Sequence, residues 1–177
     1  MGVATKKPAK DLGTLWFIRF TYISLINAVI AIVWTSPVLM PNLNIARQVA
    51  GGSAGTWGYV GYSLFLTTGF AATFIFGAMY YLIPKVMEAE LFSGKLAVLH
   101  LLLQEIGFLG STGLLSWAGF IGGTMLLGKA TQAEIHEALS PYIEPIGYFV
   151  AIAMAGVIIG VINIIATTRK RPTIGER

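Results

Sequence analysis

Four long apolar runs dominate the chain: Thr14–Val38, Gly58–Ile83, Leu96–Leu127 and Tyr142–Thr168. Each is long enough to cross roughly 30 Å of hydrocarbon as a helix, which takes about 20 residues. Breakers and charges close each run: Pro37 and Pro41, then Pro84 and Lys85, then Gly128 and Lys129, and finally Arg169 through Pro172. The third run exceeds what the bilayer requires, which predicts a tilted or projecting helix. Between the third and fourth runs, Thr131–Leu139 reads as a short helix of its own, capped by Thr131 with Glu134 in its first turn. The polar, Gly-rich stretch 42–56 (NLNIARQVAGGSAGT) reads as an exposed connection. The expected fold is all-α, an integral membrane four-helix bundle in a single domain spanning 1–177.

Composition supports that reading. Hydrophobic residues make up 55% of the 177 and charged residues only 11%, where a soluble domain carries roughly 25% charged. There is no cysteine, so disulfides, thiolate metal sites and Cys-ligated iron–sulfur clusters are excluded from this chain. The formal charge of +4 lies mostly toward the two ends and carries no basic helix, so it marks topology and no nucleic acid is expected as a partner. The basic start, MGVATKKPAKDLG, reads as retained rather than as a cleaved signal, because no small-x-small site follows a short apolar core. The glycines at 51–55 lack the downstream Lys-Ser/Thr of a phosphate loop.

Charge also orients the bundle. Lys6, Lys7 and Lys10 precede the first run, Lys85 and Lys95 sit between the second and third, and Arg169, Lys170, Arg171 and Arg177 follow the fourth. The remaining loops hold only Arg47 and Lys129. The positive-inside rule then puts both termini and the Lys85–Lys95 turn in the cytoplasm, in a multi-pass protein of the cell (inner) membrane. Trp and Tyr near the run ends, among them Trp16, Trp34, Tyr80 and Tyr81, read as an interfacial aromatic belt. Small residues at helix-packing spacing (Gly69, Thr73 and Gly77; Gly119 and Gly123; Gly156 and Gly160) predict close helix–helix approach.

Candidate chemistry is sparse. Arg19 and Glu105 are the strong charges well inside apolar runs, and intramembrane ionisable groups are functional candidates by default. Arg19 lies near a helix end and can snorkel. Glu105 lies deeper, next to Gln104, with His100 five residues earlier and not on the same face. Glu105, Gln104 and Arg19 are the candidates for a quinone or proton path, against the alternative of a polar pin between helices. His100 and His136 fall toward opposite membrane faces, so this chain does not supply the paired axial histidines of a b-type haem.

The corner GAMYYLIPKV, a charged turn and GKLAVLHLLLQEIGFLG resemble the catalytic subunit of haem–copper oxidases, with the C-family oxidases and nitric oxide reductases nearest in pattern. LSPYIEPIGYFVAIAMAGVIIGVINIIATTRK resembles that family's last helix, so the resemblance covers roughly 57–170. The family's His-x-His haem ligands would fall at Tyr62 and Leu64, and the second run has no His. The resemblance therefore implies an oxidase scaffold without its ligands. The expectation is a non-catalytic subunit of a respiratory terminal oxidase or related electron-transfer complex, with haem and copper held by partner subunits, none bound by this chain alone, and quinone as a further candidate ligand. Two alternatives stand beside it. One is a split haem-binding subunit using His100 or Tyr62. The other is a small homo-oligomeric transporter. The corner itself reads as a structural hairpin with aromatic anchors and a proline stop.

Overall fold

The structure, a computed structural model, describes residues 11–169. The basic positions Lys6, Lys7, Lys10, Lys170, Arg171 and Arg177 lie outside the described residues. Among the described residues the chain is helical, with no strand. Four helical stretches are long and apolar enough to cross a membrane: Leu12–Leu39, Ser53–Val86, Gly94–Leu127 and Gln132–Arg169. The chain reads as a multi-pass membrane protein.

The first span is α1 (Leu12–Thr35). Asp11 caps it, accepting from the Gly13 N–H at 3.0 Å and so satisfying one of the amides that a helix start leaves unpaired. The second span has three parts. Thr56–Leu64 is α3, Phe65–Ala72 is π-helical and Thr73–Val86 is α4. A long α5 (Gly94–Leu127) follows, with Ser93 as its cap. Then α6 runs without a break from Gln132 to Arg169. The start of α1, the end of α4, the start of α5 and the end of α6 share one end of the bundle. Leu12 approaches Gly94 there, and Asn163 reaches Ser93. We call this the hairpin end, after the 87–93 turn, and the opposite one the far end.

Several sequence expectations are corrected. Pro84 is not the stop of its helix. It sits inside α4, and the helix ends where Glu88 takes a left-handed conformation (φ 48°). There the Ala89 N–H donates to the Pro84 carbonyl at 2.9 Å and the Glu88 N–H to that of Lys85 at 3.4 Å, the paired bonds of a Schellman ending. Lys129 (φ 64°) ends α5 in the same way. Proline lacks an N–H, which leaves the Tyr80 carbonyl without its helical donor. The start of α1 passes close to that carbonyl, and a Cβ on Gly13 would lie only 2.8 Å from it.

The 131–139 segment is not a separate helix but the first turns of α6, which continues through Pro141 and Pro145. Its expected cap is present. The Thr131 hydroxyl accepts from the Glu134 N–H at 3.3 Å while a Glu134 carboxylate oxygen accepts from the Thr131 N–H at 2.7 Å. Nor is the 42–56 stretch a plain exposed connection. It forms α2 (Ile45–Ala50), whose Gln48 is buried and donates to the Leu43 carbonyl at 2.9 Å and to Thr124 Oγ1 at 3.2 Å. Gly123 leaves room for that side chain and Gly55 for the Gln48 backbone carbonyl, so the segment seats on α5 as a plug over the far end. Finally, Trp16 and Tyr80 are not belt residues. Both are buried, because helical periodicity turns Tyr80 to the same inward face as Thr73, Gly77 and Pro84.

Candidate functional site

A polar ladder runs through the interior of the hairpin half and takes a rung from each of the four spans. It begins where α6 pins the turn. Asn163 donates from Nδ2 to the Ser93 carbonyl at 2.9 Å and accepts the Ser93 N–H on Oδ1 at 3.1 Å. The neighbouring Thr167 hydroxyl accepts the Phe92 N–H at 3.0 Å. The Asn163 amide also reaches the Tyr80 hydroxyl at 3.4 Å. Tyr80 Oη lies 3.0 Å from His100 Nδ1, and His100 Nε2 lies 2.7 Å from Gln104 Oε1. Gln104 Nε2 donates to Thr73 Oγ1 at 2.7 Å, and Thr73 donates to Glu105 Oε1 at 2.9 Å. Asn27 Nδ2 completes the series, donating to Glu105 Oε2 at 2.8 Å and to the Gly69 carbonyl at 2.6 Å.

Donor and acceptor chemistry gives this ladder a direction. The Gln104 carbonyl oxygen can only accept, so His100 carries its proton on Nε2. Nδ1 is then an acceptor, and the Tyr80 hydroxyl donates to it. The Thr73 hydroxyl has one proton and gives it to Glu105, which leaves its oxygen free to accept from Gln104. From Asn163 to Glu105 every donor therefore points the same way, toward the carboxyl. Both Glu105 oxygens are acceptors, one from α4 and one from α1.

Local sequence explains how the rungs meet. His100 and Gln104 are four residues apart on α5, which makes them neighbours on one face. Glu105 is one position further round and reaches His100 only indirectly, through Gln104 and Thr73. The His100 ring packs edge-on against Phe76 (4.5 Å between centroids) and beside Phe20 (5.3 Å). On its other side lies Gly160 of α6, where a Cβ would come within 2.4 Å of the ring. The small residues at 156 and 160 therefore do what their spacing predicts, letting α6 close over His100 and Gln104. Hydrogen bonds within a π-helical turn reach one residue further than in an α-helix, so such a turn releases backbone carbonyls. The segment 65–72 presents Gly69 O to Asn27 and Phe70 O to the Ser24 hydroxyl at 3.0 Å, tying the first span to the second.

Of the expected site residues, the structure unites Glu105, Gln104 and His100. Arg19 stays outside. It is exposed on the bundle surface, with its guanidinium 4.6 Å from the Trp16 ring centre. Tyr62 belongs to the far half, 2.8 Å from Thr35 Oγ1. Both ring nitrogens of His100 are occupied by protein partners, and His136 is exposed at the far end. Among the described residues no group of three His, Cys, Asp or Glu side chains is arranged to hold a metal ion. Sequence reasoning missed Asn27, Thr73 and Tyr80 as partners of Glu105 and His100. The signal was there for Asn27 and Asn163, which are isolated amides inside apolar runs, since lipid offers them no partner. Nothing local announced the π-helical segment.

Comparison with family models, with curated proteins and with solved structures yields no match, so the reading of this site rests on its own geometry.

Proposed function

We propose that this chain is a non-catalytic, oxidase-subunit-I-like transmembrane subunit of a respiratory terminal oxidase or related electron-transfer complex, and that it holds a buried proton-accepting site at Glu105. The one-way hydrogen-bond ladder carries the proposal. A carboxyl inside a membrane bundle is costly, and such groups mark proton and substrate pathways; this one sits at the end of a chain of donors that starts at the hairpin turn. The positive-inside rule puts that turn in the cytoplasm. The oxidase assignment is supported by the resemblance of the Gly77–His100 corner and of the last helix.

His100 and Glu105 are the titratable rungs within the ladder's inner part, and Gln104 stands between them. An amide does not pass on a proton while it stays in place, so Gln104 separates the two titratable groups, and Thr73 holds it there.

The test is purification from native membranes through a tag on this chain, followed by reconstitution of the complex into vesicles. Haem-bearing subunits should copurify, with a reduced-minus-oxidised spectrum unchanged by His100→Ala. Proton uptake coupled to electron flow should fall by about 100-fold in Glu105→Gln, the scale expected when a positioned proton acceptor is removed. Gln104→Glu, which replaces the separating amide with a titratable group, should speed uptake relative to wild type. Haem bands from the chain expressed alone, or proton uptake indifferent to Glu105→Gln, would overturn the proposal.

A further inference from the structure

The far half contains a cavity of about 490 Å³ between the end of α1, the α2 plug, α3 and α5. Its depth follows from α5. The lining there runs from Phe120 to Gly113, about 10 Å at 1.5 Å per residue, and one leaflet of a roughly 30 Å hydrocarbon core is about 15 Å deep. Gly113 keeps the inner end open, since an added Cβ meets nothing within 4 Å. Toward the far end, Ile45, Gln48 and Val49 of the plug form the roof. Val38, Tyr59 and Trp117 also line the space and are 48%, 59% and 54% exposed, so one side faces out of the bundle. Around a membrane span, that side is lipid.

The wall suits hydrocarbon. Four of its polar side chains are paired within the protein. Thr35 gives its hydroxyl proton to the Ala31 carbonyl at 2.9 Å and accepts from the Tyr62 hydroxyl at 2.8 Å. The Ser116 hydroxyl donates to the Gly58 carbonyl at 3.3 Å, and the Gln48 amide is held by Leu43 and Thr124. No Lys, Arg, Asp or Glu lines the cavity, so a phosphate or carboxylate drawn inside would find no counter-charge. Trp117 stacked on Phe120, with Trp34, Pro37 and Val38, supplies apolar surface. Apolar cavities stay dry and take apolar guests. A guest chain returns the dispersion contacts that wall atoms lack around an empty space.

We propose that this cavity holds one acyl chain of a bilayer phospholipid. The charged head stays at the far-end interface, and only the chain passes inward along Val38 and Tyr59. The surrounding leaflet supplies phospholipid in large excess over free fatty acid, and occupancy follows concentration. The seated chain completes the packing between α1, the plug and α5, so it stabilises the far half. The inference does not rest on the Glu105 reading.

The experiment titrates the delipidated full chain, in mild detergent, with dioleoyl phosphatidylcholine. Bound lipids are counted by native mass spectrometry, and Tm is followed in parallel. One copy should bind saturably ahead of the scattered surface copies, and Tm should rise as it binds. Gly113→Leu fills the inner end, and Val49→Trp fills the space from the plug. Each, checked for native helix content, should weaken that first copy about tenfold or more, the scale of a steric misfit in an apolar pocket, and should blunt the rise in Tm. Lysophosphatidylcholine, with one chain, should compete, and glycerophosphocholine, with none, should not. Competition by glycerophosphocholine, or a first copy and a Tm response untouched by both filling variants, would overturn the assignment. Preference for oleate over the phospholipid would overturn it in favour of a fatty-acid pocket.

Discussion

The two halves of this bundle solve the membrane packing problem differently. In the hairpin half, helices are joined by side-chain hydrogen bonds between Asn163, Tyr80, His100, Gln104, Thr73, Glu105 and Asn27, with glycines at 156 and 160 bringing α6 hard against α5. In the far half, aromatic rings and the α2 plug close the bundle around a space that glycine leaves open. The reason is the solvent. Lipid tails are as apolar as leucine, so burying hydrocarbon does not drive helices together, and close packing and hydrogen bonds must do so. Both are present in the hairpin half, and also in the far half where α3 meets α5 at Gly58, Gly61 and Gly119. The cavity lies beside that contact, where Gly113 meets no neighbour. The outward faces match the apolar solvent, since Tyr22, Val29 and Ile32 of α1 are all well exposed.

The sharpest way to break the comparison is to put the same side chain into both halves. Gly160→Leu would drive carbon into the His100 ring, and overpacking of this kind costs about 1–3 kcal/mol, at times more. We expect the upper end of that range, because the ladder cannot relax without losing rungs. Thermal unfolding in mild detergent would show it as a large drop in Tm. Next comes Asn163→Leu, which leaves the Ser93 N–H without a partner and the Ser93 carbonyl with the Ala97 N–H alone, and should cost about 1–3 kcal/mol, with the 87–93 turn becoming the first site of proteolysis. A cleavage pattern unchanged from wild type would mean the turn is held by something else.

A double-mutant cycle with Gln104→Leu and Thr73→Val tests whether the ladder is cooperative. Interhelical hydrogen bonds in bilayers couple by about 0.6 kcal/mol on average, with a ceiling near 1.7. A coupling at the upper end is expected here, because Thr73 serves two partners at once. The smallest effect should come from Gly113→Leu. With open space around its Cβ, it should move stability by no more than about 0.5 kcal/mol. A cost close to that of Gly160→Leu would show that the space beside Gly113 is closed.

Much of the architecture was legible in the sequence. Length and apolarity fixed four spans, and the capping chemistry at Thr131 and Glu134 was found where its pattern put it. The glycine spacing on α6 marked a packing face correctly. Glu105, Gln104 and His100 could be singled out because polar groups inside apolar runs need partners. Other features were not legible. Pro84 looked like a stop, yet it lies within a helix whose end is set by a backbone twist at Glu88. The loop helix and the fourth span looked separate, yet α6 absorbs both prolines. Tyr80 looked like an interfacial anchor because it neighbours Tyr81, and only its helical phase makes it a core residue.

The sequence by itself determined which segments are long and apolar enough to enter the membrane, which polar residues go in with them and the capped start at Thr131. The tertiary structure alone decided which faces meet. In water, an amphipathic stripe announces the buried side of a helix. In lipid, the outward side is as apolar as the inward one, so α1 and α5 carry almost no such stripe and the pattern does not say which way Asn27 or Gln104 points. Their partners lie on other helices, up to 83 residues away in the case of Tyr80 and Asn163. The ladder comes into being only when a π-helical turn, the inward face of α4 and a glycine face on α6 bring those helices together.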